Sequence, residues 1–152
     1  MREGGLSAIL TYLDFFSTNV QRTAVTTAAN CCRNISIEHF GMVRDVMPIL
    51  RNVLAYPDQR VVEGACLAVT RTLDSYRHHP DKIEALATPE LLSAICTLLL
   101  PEGGGSTIGQ ATYSQLLKSF ATASKASPEV SLSLVDKNIA STVFYIDRKS
   151  VV

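Results

Sequence analysis

Ala, Leu, Ser and Thr recur along the chain at three- and four-residue spacing with little β-branched alternation, a pattern of helices and not of strands. Two kinds of helical segment alternate. One reads Leu6-Ser-Ala-Ile9-Leu10-Thr-Tyr-Leu13 and returns from Met47, from Leu92 and, more loosely, from Ile139, at steps of 41, 45 and 47 residues. The other starts at Val20-Gln-Arg-Thr-Ala24 and returns from Val61 and Ile108, at steps of 41 and 47. Two interleaved families that drift together define a repeat of one short, one medium and one long helix. The pattern predicts short helices over 37–44, 80–87 and 128–136, medium ones over 6–16, 46–55, 90–100 and 138–146, and long ones over 19–35, 59–76 and 108–124. Boundary chemistry agrees: Ser36-Ile-Glu38, Thr88-Pro89-Glu90 and Ser127-Pro128-Glu129 each put a capping hydroxyl before a helix with an acid in its first turn. Tyr56-Pro57-Asp58 ends one helix and caps the next, and the glycine-rich stretch 101–107 lengthens the third period.

A period of about 40 to 47 residues is that of armadillo and HEAT arrays, in which each unit buries its apolar face against its neighbours. The fold expected is therefore all-α, an armadillo/HEAT-like α-solenoid with the handedness of a right-handed superhelix of three-helix repeats. The repeat domain covers 1–147, as a partial repeat 1–35, repeats 36–78 and 79–126, and a partial repeat 127–147; residues 148–152 form a tail outside the pattern. Cut ends should leave Leu6, Ile9 and Leu13, and at the other end Val143, Phe144 and Ile146, partly on exposed apolar surface that favours self-association. Ala24, Ala28, Ala65 and Val69 fall at equivalent long-helix positions and should face the core.

Composition adds exclusions. The 152 residues are 47% hydrophobic and 18% charged, enough to build a core and too apolar for disorder. Fourteen basic residues balance fourteen acidic ones, so no net field draws the chain to nucleic acid or an anionic membrane. No apolar run approaches a bilayer span and the first residues carry no signal or transit peptide, which points to an intracellular chain of the nucleus or cytoplasm. The four cysteines are expected reduced and buried.

Candidate chemistry reads as structure. Cys31 and Cys32 diverge by about 100° on a helix and have no His at ligand spacing. His78-His79 precedes Pro80 in a connector, and 104–109 has the glycine spacing of a phosphate loop but carries Gln110 where the lysine would stand. No catalytic residue, metal site or cofactor site is expected.

The segment from Glu3-Gly-Gly-Leu6 through Val20-Gln-Arg-Thr-Ala24 to Ala28-Ala-Asn30-Cys31 is similar to the armadillo consensus. With Tyr12-Leu-Asp-Phe15-Phe16 and Cys31-Cys32 it resembles the armadillo region of the ubiquitin-fusion-degradation HECT-type E3 ligases, including the thyroid-receptor-interacting ligase of animals. That resemblance implies a long parent chain that recruits a protein substrate or a ubiquitin-like partner here and transfers ubiquitin from a distant HECT domain, this stretch itself being no enzyme. The alternative is an armadillo adaptor or transport scaffold whose parent has no ligase domain. In the armadillo pattern each long helix offers a pair of positions four residues apart to an extended peptide; here the pairs are Thr26 and Asn30, Leu67 and Arg71, and Ser114 and Lys118. With Arg22 and Arg33 nearby, and Glu63 and Asp74 diluting them, they make a polar-to-basic strip suited to acidic or carbonyl-rich peptide.

Overall fold

The computed structural model describes residue 10, residues 12–99 and residues 108–128. Among these every regular element is helical. A 3-10 turn, Leu13–Phe15, leads to α1, Thr18–Cys31; a second 3-10 turn, Ile37–His39, runs into α2, Phe40–Val53. Then follow α3, Gln59–Ser75; α4, Pro80–Leu86; α5, Pro89–Leu99; and α6, Gln110–Ala126.

The long helices form a row in which α3 packs on α1 on one side and on α6 on the other, while α2 backs α3 and contacts α4 and α5. Burial follows from that order. The outer helix α1 buries one stripe, Ala24, Val25, Ala28 and Ala29, whereas the central α3 buries Val61, Val62, Ala65, Cys66, Ala68, Val69, Thr72 and Leu73 on several faces. Ala24, Ala28, Ala65 and Val69 are thus in the core, as their recurrence predicts. Small residues let α1 and α3 approach closely: a Cβ on Gly64 would stand 2.5 Å from Val25 Cγ2, so only glycine fits there.

Capping follows the sequence at two points. Asp58 accepts the amide of Val61 at 3.1 Å at the start of α3, and Thr88 Oγ1 accepts that of Leu91 at 3.3 Å at the start of α5. Ser36 departs from expectation, because its hydroxyl pairs with His39 Nδ1 at 2.7 Å and no cap bond forms.

Three further expectations are corrected. The predicted helices 37–44 and 46–55 are one continuous α2 behind a 3-10 turn, because Val43, Val46, Met47 and Leu50 all face one core and no breaker separates them. Helix α1 stops at Cys31, short of position 35: Asn34 sits in the left-handed region at φ 49° and turns the chain. Within the predicted helix 6–16, residues 13–15 form a 3-10 turn, and Leu13, expected on exposed surface, is buried; Tyr12, Phe15 and Phe16 are the exposed apolar residues there. Leu6, Ile9, Val143, Phe144 and Ile146, the connector 101–107, the helix 138–146 and the tail 148–152 lie outside the described residues. Only the start of the predicted helix 128–136, at residue 128, falls inside them.

Candidate functional site

The predicted ladder runs along the three long helices, and each position has a definite place. Leu67, Arg71 and Lys118 come together around a groove of about 340 Å³ between the C-terminal halves of α3 and α6, with Thr70, Asp74 and Gln115. Thr26 lines a separate opening between the middle of α1 and the first turns of α3, and its hydroxyl donates to the carbonyl of Arg22 at 2.8 Å. Ser114 is half-buried on α6 and does not line the groove beside Lys118. Asn30 is exposed at the end of α1.

Arg71 plays a part its sequence position did not announce. It reaches across to the end of α1, donating to the carbonyl of Ala29 at 2.8 Å and to Asn30 Oδ1 at 3.3 Å. A cation on the last carbonyls of a helix meets their partial negative charge, so this contact ties α3 to α1. Burial and the nearby Arg33 guanidinium hold the Arg71 pKa below its ordinary value. The Asn30 amide oxygen is therefore occupied and its NH2 group is left to donate outward. Lys118, equivalent to Arg71 on the next helix, is exposed and makes no ion pair with any described residue. Lys118 shares its groove with the cation Arg71 and with Asp74, whose carboxylate is paired with Arg77 at 3.3 Å.

Opposite the Arg71 end, two residues at equivalent repeat positions make the other ties. Arg22 of α1 grips Asp58 through two bonds, Nε to Oδ2 at 3.0 Å and Nη2 to Oδ1 at 2.7 Å. That hydrogen bond, with the Val61 amide, holds the Asp58 carboxyl down to about 2. Glu63 of α3 accepts from the backbone amide of Gly109 at 3.2 Å, Thr112 Oγ1 at 2.7 Å and Gln59 Nε2 at 3.0 Å. Burial alone would raise the Glu63 pKa; the hydrogen bonds from Thr112, Gln59 and Gly109 outweigh it and the carboxyl lies below its usual range. Sequence reading treated Glu63 only as a charge diluting the strip; the signal that finds it is its equivalence to Arg22, 41 residues earlier.

Burial pushes the Cys66 thiol up to about 12 and raises Cys32, so neither is a thiolate near neutrality. Among the described residues no group of three or more His, Cys, Asp or Glu is placed to hold a metal, and no helix is long and apolar enough to cross a membrane.

No protein-family model and no solved structure matches the chain. Curated relatives do. The chain is 35% identical over 131 residues to the E3 ubiquitin-protein ligase UPL3 of Arabidopsis thaliana, covering 84% of this chain and 7% of that protein. It is 32% identical over 146 residues to the E3 ubiquitin-protein ligase TRIP12 of Danio rerio, covering 96% and 7%. A probable ubiquitin fusion degradation protein of Schizosaccharomyces pombe is 35% identical over 95 residues, 62% of this chain and 6% of that one. The chain thus spans about 7% of the length of the first relatives it matches. Homology at 30–35% identity over most of its length places the chain in the family of HECT-type E3 ubiquitin ligases, as the counterpart of one short segment of them.

Proposed function

We propose that the chain is an armadillo-type solenoid segment of such a ligase and that it recruits a protein partner, a substrate or a ubiquitin-like fold, along the exposed face of its long helices. Catalysis belongs to another part of the parent protein; this segment's part is binding. The observation that carries the reading is the groove between α3 and α6, which combines an apolar wall, Leu67, with an uncommitted cation, Lys118, and hydrogen-bonding groups on Thr70, Gln115 and Thr122. Such a lining suits an extended peptide with backbone carbonyls and a carboxylate, because Lys118 and Arg71 outnumber the one acid of the groove, Asp74, which is itself paired with Arg77. The row of long helices supports the solenoid, since α1, α3 and α6 stand in sequence order at the predicted period.

The test uses Lys118 and Gln115, not Arg71, whose removal would also break the tie to α1. A ubiquitin-fused substrate is titrated against the chain and against a Gln115→Glu/Lys118→Glu variant. Affinity should fall about tenfold, the scale of a lost charge pair and its reversal, with helical circular dichroism unchanged. Equal affinity for both proteins would put the binding face elsewhere.

A further inference from the structure

A second groove lies away from the long-helix ladder, where α2 meets the α4–α5 turn. It measures about 180 Å³, below the ~300 to 1,000 Å³ of small-molecule sites, so it suits one inserted side chain and not a cofactor. Its walls are apolar, from Met47, Pro48, Leu86 and Leu91, and its rim carries Arg44 and Arg51. These two arginines stand seven residues apart on α2, two turns along the same face and about 10 Å along the axis. Among the described residues no acidic side chain lines the groove. Arg44 makes only a 3.8 Å contact to its neighbour Asp45, both largely exposed, and Arg51 pairs with no described residue. The nearby acids are turned to other tasks: Glu84 accepts the Ser127 hydroxyl at 2.7 Å, and Glu90 sits in the first turn of α5, outside the lining. Pro48, inside α2, has no amide hydrogen to give to the carbonyl of Arg44, which leaves a backbone acceptor without its helical donor beside the groove.

From this geometry we infer that the α2–α4–α5 groove is a docking site for an acidic protein segment that inserts one apolar side chain between two carboxylates, one for Arg44 and one for Arg51. Charge complementarity selects the occupant. An apolar pocket flanked by Arg51, paired with no described residue, and Arg44, held only by its long, exposed contact to Asp45, favours a leucine-type anchor with acids on both sides, arginine taking each carboxylate through paired N–H bonds. The Arg44 carbonyl adds an acceptor for one of the segment's backbone amides. This site shares no lining residue with the groove at Lys118, so the two readings stand or fall separately.

The test is fluorescence anisotropy with a fluorescein-labelled peptide of one leucine between two glutamate pairs, and a control peptide in which lysines replace the glutamates. The chain should bind the acidic peptide and not the basic one, with affinity falling as salt rises. Arg44→Glu/Arg51→Glu should weaken binding about tenfold or more and remove the salt dependence. Ala85→Phe adds a ring at an exposed position on the groove wall; it should weaken binding while the helical dichroism stays that of the unaltered chain. Gln115→Glu/Lys118→Glu should leave binding unchanged. The proposal is overturned if the acidic peptide does not bind, if the arginine variant binds it equally well, or if the Lys118 variant loses it as strongly. It is also overturned if the chain binds vesicles of anionic lipid through Arg44 and Arg51 and ignores the peptide.

Discussion

The contact between α1 and α3 and the contact between α3 and α6 are built on equivalent positions, yet one is tied at both ends and the other at only one. At the first, Arg22 holds Asp58 at the start of α3 and Arg71 holds the final carbonyls of α1. Tyr76 adds a hydroxyl bond to the carbonyl of Ser36 at 2.9 Å, and Ser75 Oγ accepts the Ile35 amide at 3.2 Å. At the second, Glu63 holds the start of α6, while at the other end Lys118 makes no ion pair with any described residue and shares a groove with Arg71 and Asp74. The opening that remains at the first contact keeps its Arg22 committed to Asp58, whereas the opening at the second keeps Lys118 uncommitted. Equivalent positions thus yield a joint tied at both ends and a groove tied at one through the change of a few polar side chains.

The same pair of contacts explains why positions 22 and 63 carry opposite charges. Helix α3 begins with its own carboxylate cap, Asp58, so the neighbouring helix supplies a cation to that carboxylate. Helix α6 begins at Gly109, which has no side chain to cap it, so the neighbouring helix supplies the carboxylate itself, from Glu63. In both cases a helix start receives a negative charge.

The largest effects should come from the buried face of the tight contact. Ala28→Asp places an unpaired carboxylate at a position 1% exposed, a cost of several kcal/mol against a total stability of about 5 to 15. The helical dichroism of that variant should be lost or its melting midpoint should drop sharply; a variant as stable as the original would show that α1 does not pack on α3 by this face. Next, Gly64→Ala should cost about 1 to 3 kcal/mol in chemical denaturation, because the stiff Val25 side chain blocks the added methyl. The reverse change at the equivalent position of the α3–α6 contact, Ala111→Gly at an exposed site, should cost only about 0.5 to 1 kcal/mol, from helix propensity alone. Equal costs would erase the distinction between the two contacts.

Smaller effects probe the polar ties. Glu63→Gln keeps the shape and removes the charge at the start of α6, and should cost about 1 kcal/mol, the usual worth of a helix cap. Asp58 gives a pH signature. Its carboxyl is held at about 2 in the folded chain against 3.8 ordinarily, so its contribution is complete above about 4 and is lost as pH falls toward 2. The melting midpoint should fall more steeply over that window in the original chain than in Asp58→Asn; parallel curves would mean that the Arg22 contact does not persist in solution.

Much of this fold was readable from periodicity. Residues 59–76, 80–87, 90–100 and 108–124 were expected helical, and the structure has Gln59–Ser75, Pro80–Leu86, Pro89–Leu99 and Gln110–Ala126. Proline, aspartate and threonine at the boundaries are local signals, and they state where helices begin. The fusion of two predicted helices into α2 was not readable, because spacing gives a helix's period and not its interruption unless a breaker marks it. The ties were hidden for another reason: Arg22 and Asp58 are 36 residues apart and Arg71 and Asn30 are 41 apart, so they meet only once the repeats are stacked. Arg71 was legible as a cation on the long-helix face. That its charge is spent on α1 depended on Asn30 ending the neighbouring helix, a fact of register and not of composition.

Whether binding concentrates at the contact tied at only one end is read by amide hydrogen exchange on the chain with and without saturating ubiquitin-fused substrate. Added protection is expected in the C-terminal halves of α3 and α6, residues 67–75 and 115–122, with α1 unchanged. Protection confined to α1 and the start of α3, or none in α6 at saturation, would contradict it.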